Sequence, residues 1–302
     1  MTAWTRAFVL RARAKLNLAL SVGGIRPNRL HEVRSLAASL ALADEVFFDP
    51  NEGGDFTVEC DGVDVLEHDN LAFRAAAALE IDGRGIRIRI KKHIPVEAGL
   101  GGGSADGAAA LQGLARIARE RGSSERSDAE LFRAATVLGS DVPACLIDGF
   151  KWIGGSGEIV REEILDAPPW GVALLKPAAS MPTAVAYRLF DEAVPALLHA
   201  AEPVDDRDRS AVVVACIRSC AFQEFCDTVH NDFDTIVQRA IPDVARAHDR
   251  LRAVGADATV LCGSGTAVAG FFPSTADAEA GVSRVEVAPG EWAAAAGFAV
   301  GR

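Results

Sequence analysis

The residues from Pro95 to Ala110 read P-V-E-A-G-L-G-G-G-S-A-D-G-A-A-A, a glycine-rich loop that continues into a run of small residues. Glycine has no Cβ atom, so a loop with four glycines can point several backbone amides at one anion. Ser104 is of a residue type that often caps the helix after such a loop. The segment therefore predicts a phosphate-binding loop that leads into a helix capped by Ser104.

The residues on either side of the loop indicate the order of elements. Between Gly85 and Lys91, isoleucines alternate with basic residues, which is the period of a half-buried strand. After the loop, Leu111, Leu114 and Ala118 recur at helical spacing. The predicted order is strand, glycine loop, helix.

Two common phosphate loops share this order, and neither fits the sequence. A Walker A loop ends in Gly-Lys-Ser/Thr, whereas Gly103 directly precedes Ser104. A dinucleotide fingerprint that starts at Gly99 has Ser104 at the place of its third glycine. One that starts at Gly101 has Asp106 at that place. The remaining alternative is a turn whose glycines only allow a helix to pack closely.

The composition favours a two-domain enzyme, and the mixture of predicted strands and helices along the chain indicates the α+β class. The chain has 302 residues, 49% hydrophobic and 24% charged, which is about twice the length of a usual single domain. The Pro168-Pro169-Trp170 run marks a break in the pattern. We therefore predict an N-terminal domain over residues 1–165 and a C-terminal domain over residues 166–302.

Charge and hydropathy exclude some classes of partner. A formal net charge of −11 argues against nucleic acid and anionic membranes as partners. No apolar stretch approaches the roughly 20 residues of a transmembrane helix, and charges interrupt the only candidate signal region at the N-terminus. We expect a cytoplasmic enzyme with a small-molecule substrate.

In four segments the chain resembles the GHMP kinases, the family of galactokinase, homoserine kinase, mevalonate kinase and phosphomevalonate kinase. Residues 95–110 are similar to the central phosphate motif of the family. Residues 14–18 (AKLNL) resemble an N-terminal signature, residues 138–143 (LGSDVP) the segment of the catalytic aspartate, and residues 261–267 (LCGSGTA) the C-terminal glycine loop. The resemblance implies a first domain like domain 2 of ribosomal protein S5 and a ferredoxin-like second domain.

The resemblance also implies ATP as phosphate donor, Mg²⁺ as cofactor and a role for each matching residue. Asp141 would accept or orient the proton of the attacking hydroxyl, and Lys15 would pair with Asp141 while facing the transferred phosphate. Ser104 would be a ligand of Mg²⁺. The nucleotide-binding residues implied are Gly99, Leu100, Gly101, Gly102, Gly103, Ser104, Asn70 and Lys92.

On the acceptor side, the N-terminal segments are most similar to the family member that phosphorylates a cytidine diphosphate-linked alcohol in the non-mevalonate isoprenoid pathway. The substrate-binding residues implied are Asn17, His31, Tyr187, Gly263, Ser264 and Gly265. One departure concerns Arg29-Leu30, because the family usually has Gly-Tyr before the histidine. One of the two rings that sandwich cytosine in the family is thus absent here.

Several alternatives stay open at this point. The acceptor could be a smaller alcohol such as homoserine or mevalonate, or the protein could be a nucleotide-binding regulator without catalysis. Asp141 follows Gly139 and precedes Pro143, so it could be an ordinary cap or turn residue. His31 could simply start a helix before Glu32. A monomer and a homodimer are both compatible with the sequence.

Overall fold

A computed structural model describes residues 4–62, 67–195 and 209–301. The chain divides into two compact units, each built from segments that are separated in sequence. Unit 1 comprises Met1–Ala14, Leu42–Val96 and Gly101–Leu146, and unit 2 comprises Lys15–Ala41, Glu97–Leu100 and Ile147–Arg302. The domain boundary near residue 165 stays a prediction.

The sheet of unit 1 is built on two long strands that both units share. The strands are β1 (Phe8–Ile25), β2 (His31–Pro50), β3 (Thr57–Cys60) and β4 (Ile86–Lys91), in the order β3-β4-β2-β1. Strand β4 runs antiparallel to β2, with Lys91 opposite Glu45, and parallel to β3. The predicted alternation in β4 is confirmed, since its three isoleucines are buried. Strand β1 is one continuous strand of 18 residues, and its residues from Ala14 to Gly24 are buried.

Four helices among the described residues complete unit 1: α1 (Leu71–Ala78), α2 (Gly102–Glu120), α3 (Asp128–Leu138) and α4 (Val142–Cys145). The long helix α2 buries a face of small residues and leucines against the sheet. A Cβ at Gly113 would overlap the ring of Phe48, so this glycine allows the helix to approach β2 closely.

Unit 2 holds the remaining strands, which are β5 (Phe150–Gly154), β6 (Ile159–Glu163), β7 (Gly171–Lys176), β8 (His230–Asn231), β9 (Ala258–Leu261), β10 (Val268–Phe272) and β11 (Trp292–Gly297). Its helices are α5 (Thr183–Ala193), α6 (Ser210–Arg218), α7 (Phe222–Thr228), α8 (Asp234–Ala240), α9 (Pro242–Ala253) and α10 (Thr275–Ser283). Strand β5 pairs with β2 and β6, and β8 runs parallel to β1.

The second sheet of unit 2 has the strand order β11-β7-β10-β9, with antiparallel neighbours. In chain order its strands are separated by helices as β-α-β-β-α-β, which is the ferredoxin-like arrangement. The predicted ferredoxin-like fold and the α+β class are thus confirmed. Within the described ranges, no helix is long and apolar enough to cross a bilayer.

Candidate functional site

The first half of the glycine loop, in unit 2, is packed tightly against another turn. Gly99 has a φ of +79°, and a Cβ there would overlap the carbonyl oxygen of Cys262 and lie 2.9 Å from the amide of Gly265. Leu100 is buried, and its carbonyl accepts a hydrogen bond of 2.9 Å from the Lys15 amide. Protein packing alone therefore requires glycine at position 99.

The second half of the loop, in unit 1, is different. Gly101 has a φ of +70° and is the N-cap of α2, so it turns the chain into the helix without offering a side-chain cap. A Cβ at Gly102 would lie 3.0 Å from Ile94, whereas a Cβ at Gly103 would meet no described neighbour within 4 Å. The prediction that Ser104 caps this helix is wrong, because α2 begins two residues earlier. An uncapped helix start with open space suits an anion.

A buried charge cluster lies beside this helix start in unit 1. Lys92 Nζ donates to Asp44 Oδ2 at 2.5 Å and to Asp106 Oδ2 at 2.6 Å. Asp44 Oδ1 also accepts the backbone amides of His93 and Ile94 at 2.5 and 2.8 Å. The sequence predicted Lys92 as a nucleotide contact, which stays a prediction, but gave no sign of its two carboxylate partners.

Burial affects the pKa values of Asp106 and Lys92 in this cluster differently. Burial raises the pKa of Asp106 to about 7, although Lys92 opposes the shift. Burial alone would lower the pKa of Lys92, but Asp106 and Asp44 raise it overall. Asp106 Oδ1 is buried and has no hydrogen-bond partner among the described residues. The first turns of α2 thus contain a carboxylate that is only half satisfied.

Lys15 and Asn17 meet in unit 2, as expected for residues two apart on one strand. The Lys15 ammonium donates to Asn17 Oδ1 at 3.0 Å, and Asn17 Nδ2 donates to Ser35 Oγ at 2.8 Å. Ser35 Oγ in turn donates to the Ala19 carbonyl at 2.6 Å. This chain of hydrogen bonds orients a lysine that is only 5% exposed. Ser35 was not predicted, since it lies on the next strand.

Asp141 lies in unit 1 between α3 and α4. The chain turns there, with a backbone hydrogen bond of 3.2 Å from the Val142 amide to the Gly139 carbonyl. Asp141 occupies the N-cap position of α4, but its side chain makes no capping hydrogen bond. It is therefore a turn residue whose carboxylate does not cap the helix, and its pairing with Lys15 stays a prediction.

Asn70, predicted to lie near adenine, has a clear local role. Its Oδ1 accepts a hydrogen bond of 2.9 Å from the Ala72 amide and so caps α1. Replacement of such a cap usually costs about 1 kcal/mol of stability. Asn70 thus has a structural role as a helix cap, and its contact with the nucleotide stays a prediction.

The predicted substrate residues His31 and Tyr187 come together in unit 2. Their ring centroids are 5.1 Å apart with an angle of 28° between the planes, and Tyr187 also packs edge-on against Phe233 at 4.8 Å. His31 is the first residue of β2, so the alternative of a helix start is wrong. Leu30 beside it is 48% exposed, which leaves an apolar side chain at the predicted cytosine position.

The third predicted glycine loop lies between β9 and β10, which form an antiparallel hairpin. Gly263 has a φ of +53°, and its Cβ would lie 2.9 Å from the Gly99 carbonyl oxygen. Ser264 Oγ donates to Thr183 Oγ1 at 3.1 Å. Asn231 Nδ2 holds the turn through hydrogen bonds to the carbonyls of Leu261 and Gly263 at 2.8 and 2.6 Å. The glycines have a packing role here, and substrate binding by this turn stays a prediction.

Comparison with known proteins agrees with the fold and with the glycine motifs. The profile of the GHMP kinases N terminal domain matches residues 70–149, and that of the GHMP kinases C terminal domain matches residues 219–289. The chain belongs to the GHMP kinase family, and the resemblance of its motifs is confirmed.

Two similar curated proteins carry the same enzyme name. The chain is 37% identical over 272 residues to 4-diphosphocytidyl-2-C-methyl-D-erythritol kinase of Pelotomaculum thermopropionicum, with 89% of each chain covered. It is 35% identical over 273 residues to the enzyme of that name from Desulfitobacterium hafniense, with 89% of this chain and 88% of the relative covered.

Two solved structures are similar to this chain over nearly its whole length. A crystal structure of 4-(cytidine 5'-diphospho)-2C-methyl-D-erythritol kinase matches with a TM-score of 0.73 and 28% identity over 97% of this chain and 99% of that one. Homoserine kinase of Cytophaga hutchinsonii matches with a TM-score of 0.68 but only 14% identity over 99% and 97% of the two chains. The second similarity shows the shared fold alone.

Proposed function

We propose that this protein is an ATP-dependent kinase that phosphorylates the 2-hydroxyl of 4-diphosphocytidyl-2-C-methyl-D-erythritol, in the non-mevalonate route to isoprenoid precursors. The observation that supports phosphate binding best is the start of α2, where a Cβ at Gly103 would meet no described neighbour. The choice of acceptor is supported by relatives of that name that are 37% and 35% identical over about nine-tenths of the chain.

In this proposal the backbone from Gly101 to Ser104 binds the phosphates of ATP. The amides at a helix start carry partial positive charge, and the uncapped first turn of α2 offers them to an anion. Mg²⁺, when bound, neutralises charge on the phosphates. Within the described ranges no group of three or more His, Cys, Asp or Glu residues could hold a metal ion. The Ser104 hydroxyl would be the ligand that the protein offers to Mg²⁺.

The chemical step requires a group that takes up a proton and a cation that offsets charge. The acceptor oxygen bonds to the γ-phosphorus, its proton passes to Asp141, and the bond to the bridging oxygen breaks to release ADP. Lys15 supplies the positive charge, and its orientation by Asn17 Oδ1 at 3.0 Å supports this role. Asn17, His31 and Tyr187 would hold the acceptor.

Replacing Asp141 with Asn tests the chemistry. The amide keeps the shape but cannot take up the proton, so kcat should fall by about two orders of magnitude or more. The Kd of ATP should stay nearly unchanged. ADP release would be followed with the cytidine-linked alcohol, homoserine and mevalonate as separate acceptors. Asp249→Asn, at an exposed position, is the matched control and should behave as the wild type.

The outcomes separate the alternatives. Undiminished turnover by Asp141→Asn would show that the assigned mechanism is wrong. ADP release only with homoserine or mevalonate would favour the smaller-alcohol alternative, and ATP binding without turnover of any acceptor would favour a regulator. The cytoplasmic location and the monomeric or homodimeric state stay predictions.

A further inference from the structure

Asn231 lies in unit 2 at the end of β8, and the proposed phosphoryl transfer assigns it no role. The residue is buried. Both hydrogens of its side-chain amide are used, since Nδ2 donates to the carbonyls of Leu261 and Gly263 at 2.8 and 2.6 Å. Its Oδ1 accepts the backbone amide of Phe233 at 2.9 Å. A flipped amide would turn its oxygen toward two carbonyls, so these contacts fix its orientation.

The same residue connects the third glycine loop to the strand of the predicted catalytic lysine. Strand β8 runs parallel to β1, with Asn231 opposite Leu20. Lys15 and Asn17 lie earlier on β1. The backbone of Asn231 is thus paired with β1, while its side chain holds the turn that follows β9. One residue therefore sets the position of this turn relative to β1.

The turn lies against the hydrogen-bond network of the Lys15 side chain. A Cβ at Gly263 would be 3.5 Å from Asn17 Oδ1, the oxygen that accepts from the Lys15 ammonium at 3.0 Å. An ammonium can only donate, so it determines which end of the Asn17 amide faces Lys15. Asn17 Nδ2 then donates to Ser35 Oγ at 2.8 Å. A displaced turn would remove the neighbour on one side of the Asn17 amide, and the Lys15 ammonium depends on that amide for its orientation.

A second route leads from the turn to the backbone of Lys15. The turn encloses Gly99, where a Cβ would overlap the carbonyl oxygen of Cys262 and lie 2.9 Å from the Gly265 amide. The carbonyl of the next residue, Leu100, accepts the Lys15 backbone amide at 2.9 Å. The turn therefore supports both the side chain and the backbone of Lys15. Catalytic groups need such support from surrounding residues to keep their geometry.

We propose that Asn231 is a positioning residue for Lys15, because it fixes the turn from Cys262 to Gly265 that supports the Lys15 ammonium and the Lys15 backbone amide. This inference rests on the proposed function, in which Lys15 offsets the charge of the transferred phosphoryl group. Misplacement of a catalytic group by about 1 Å can lower a rate about a hundredfold. Loss of the Asn231 amide should therefore affect the chemical step more than the binding of ATP.

The first test is Asn231→Asp, which keeps the shape but turns a carboxylate oxygen toward two carbonyls. Its kcat, normalised to the folded fraction, should fall about tenfold or more, while the Kd of an unreactive ATP analogue stays within about twofold of the wild-type value. Asn51→Asp is the matched control, because Asn51 Nδ2 also donates to a backbone carbonyl, that of Asp55 at 2.9 Å, in an exposed turn of unit 1. It should leave kcat unchanged.

A double-mutant cycle distinguishes positioning from a general structural role. In the background of Lys15→Met the ammonium is absent, so Asn231→Asp should lower the single-turnover rate by less than about threefold. A purely structural residue would lower this rate by the same factor in both backgrounds. Should Asn231→Asp not fold, Asn231→Ala removes the donor without adding a charge and takes its place in the cycle.

The outcomes separate this inference from the proposed function. The inference is overturned if folded Asn231→Asp keeps the wild-type kcat, if only the Kd of the ATP analogue changes, or if the loss is equal with and without the Lys15 ammonium. Wild type that phosphorylates no acceptor, or a Lys15→Met variant as active as wild type, would instead contradict the proposed function.

Discussion

The two halves of the glycine loop have opposite surroundings. In unit 2, Gly99 is enclosed by the turn from Cys262 to Gly265, where a Cβ would overlap backbone atoms. In unit 1, Gly103 faces space that no described neighbour fills, and the nearby Asp106 Oδ1 has no described partner. The first half is filled by protein, and the second half is open.

This difference answers a question that the sequence alone left open, namely which glycines serve packing and which are available to a phosphate. The same run of glycines could have served close packing or phosphate binding, and the two uses fall on different residues. Gly99 has the packing role, because its φ of +79° and its neighbours exclude a side chain. Gly103 adopts helical backbone that any residue could adopt, so nothing in the described protein requires glycine there. The comparison is testable at each position.

The largest effect is expected from Gly99→Ala. The left-handed backbone costs about 1 to 2 kcal/mol for a residue with a Cβ, and overpacking adds about 1 to 3 kcal/mol. The free energy of unfolding, measured with urea, should fall by about 3 kcal/mol, which corresponds to a drop in Tm of about 5 °C for a chain of this length. Gly53→Ala is the control, because Gly53 has a φ of +68° and no described neighbour within 4 Å. Equal losses in the two variants would mean that the packing at Gly99 is not tight.

A smaller effect, on binding alone, is expected from Gly103→Val. Its side chain would enter the space assigned to the phosphates, so the Kd of an unreactive ATP analogue should rise about tenfold or more. The free energy of unfolding without nucleotide should change by less than about 1 kcal/mol. Calorimetric titration and urea denaturation would separate the two quantities.

The alanine variant sharpens this prediction. Gly103→Ala should stabilise the free protein by about 0.4 to 1 kcal/mol, since it removes glycine from a helix without a clash, while it still weakens nucleotide binding. Gly102 is the poorer position for this test, because its Cβ would lie 3.0 Å from Ile94 and 3.3 Å from Lys92 Nζ. An unchanged Kd in both Gly103 variants would favour the view that the open half binds no phosphate.

The sequence predicted the local features of both halves. The strand before the loop and the helix after it follow from side-chain period and glycine placement, which act over a few residues. It could not predict the partners that folding brings together, such as Asp44 for Lys92 or Asp191 for His31. No local pattern marks these pairs, because the residues lie on separate elements. Helix α2 begins at Gly102, earlier than predicted, because Gly101 adopts the left-handed conformation and takes the N-cap position that was predicted for Ser104.

The smallest effect concerns two carboxylates, the buried Asp106 in unit 1 and the partly buried Asp234 in unit 2. Burial raises the pKa of Asp106 to about 7 from an ordinary 3.8, whereas the pKa of Asp234 is lowered, since hydrogen bonds from His248, Gln238 and the Leu261 amide outweigh its burial. A raised pKa stabilises the folded protein at low pH, and that contribution is lost as the pH rises from about 4 to about 7. A lowered pKa acts in the opposite sense, since its contribution is present above pH 3.8 and is lost as the pH falls through the folded pKa.

Asp106→Asn should therefore gain stability relative to wild type as the pH rises from about 4 to about 7. At pH 8 the difference should be only about 1 kcal/mol, because the variant removes a poorly solvated charge but also half of the Lys92 ion pair. Asp234→Asn should instead lose stability at pH 7, and its deficit should shrink as the pH falls below about 4. Urea denaturation across this pH range would measure both differences. If the free energies of unfolding of Asp106→Asn and wild type changed in parallel with pH, the pKa of Asp106 would not be raised in the folded protein. The contrast between the two halves of the loop would then rest on the glycines alone.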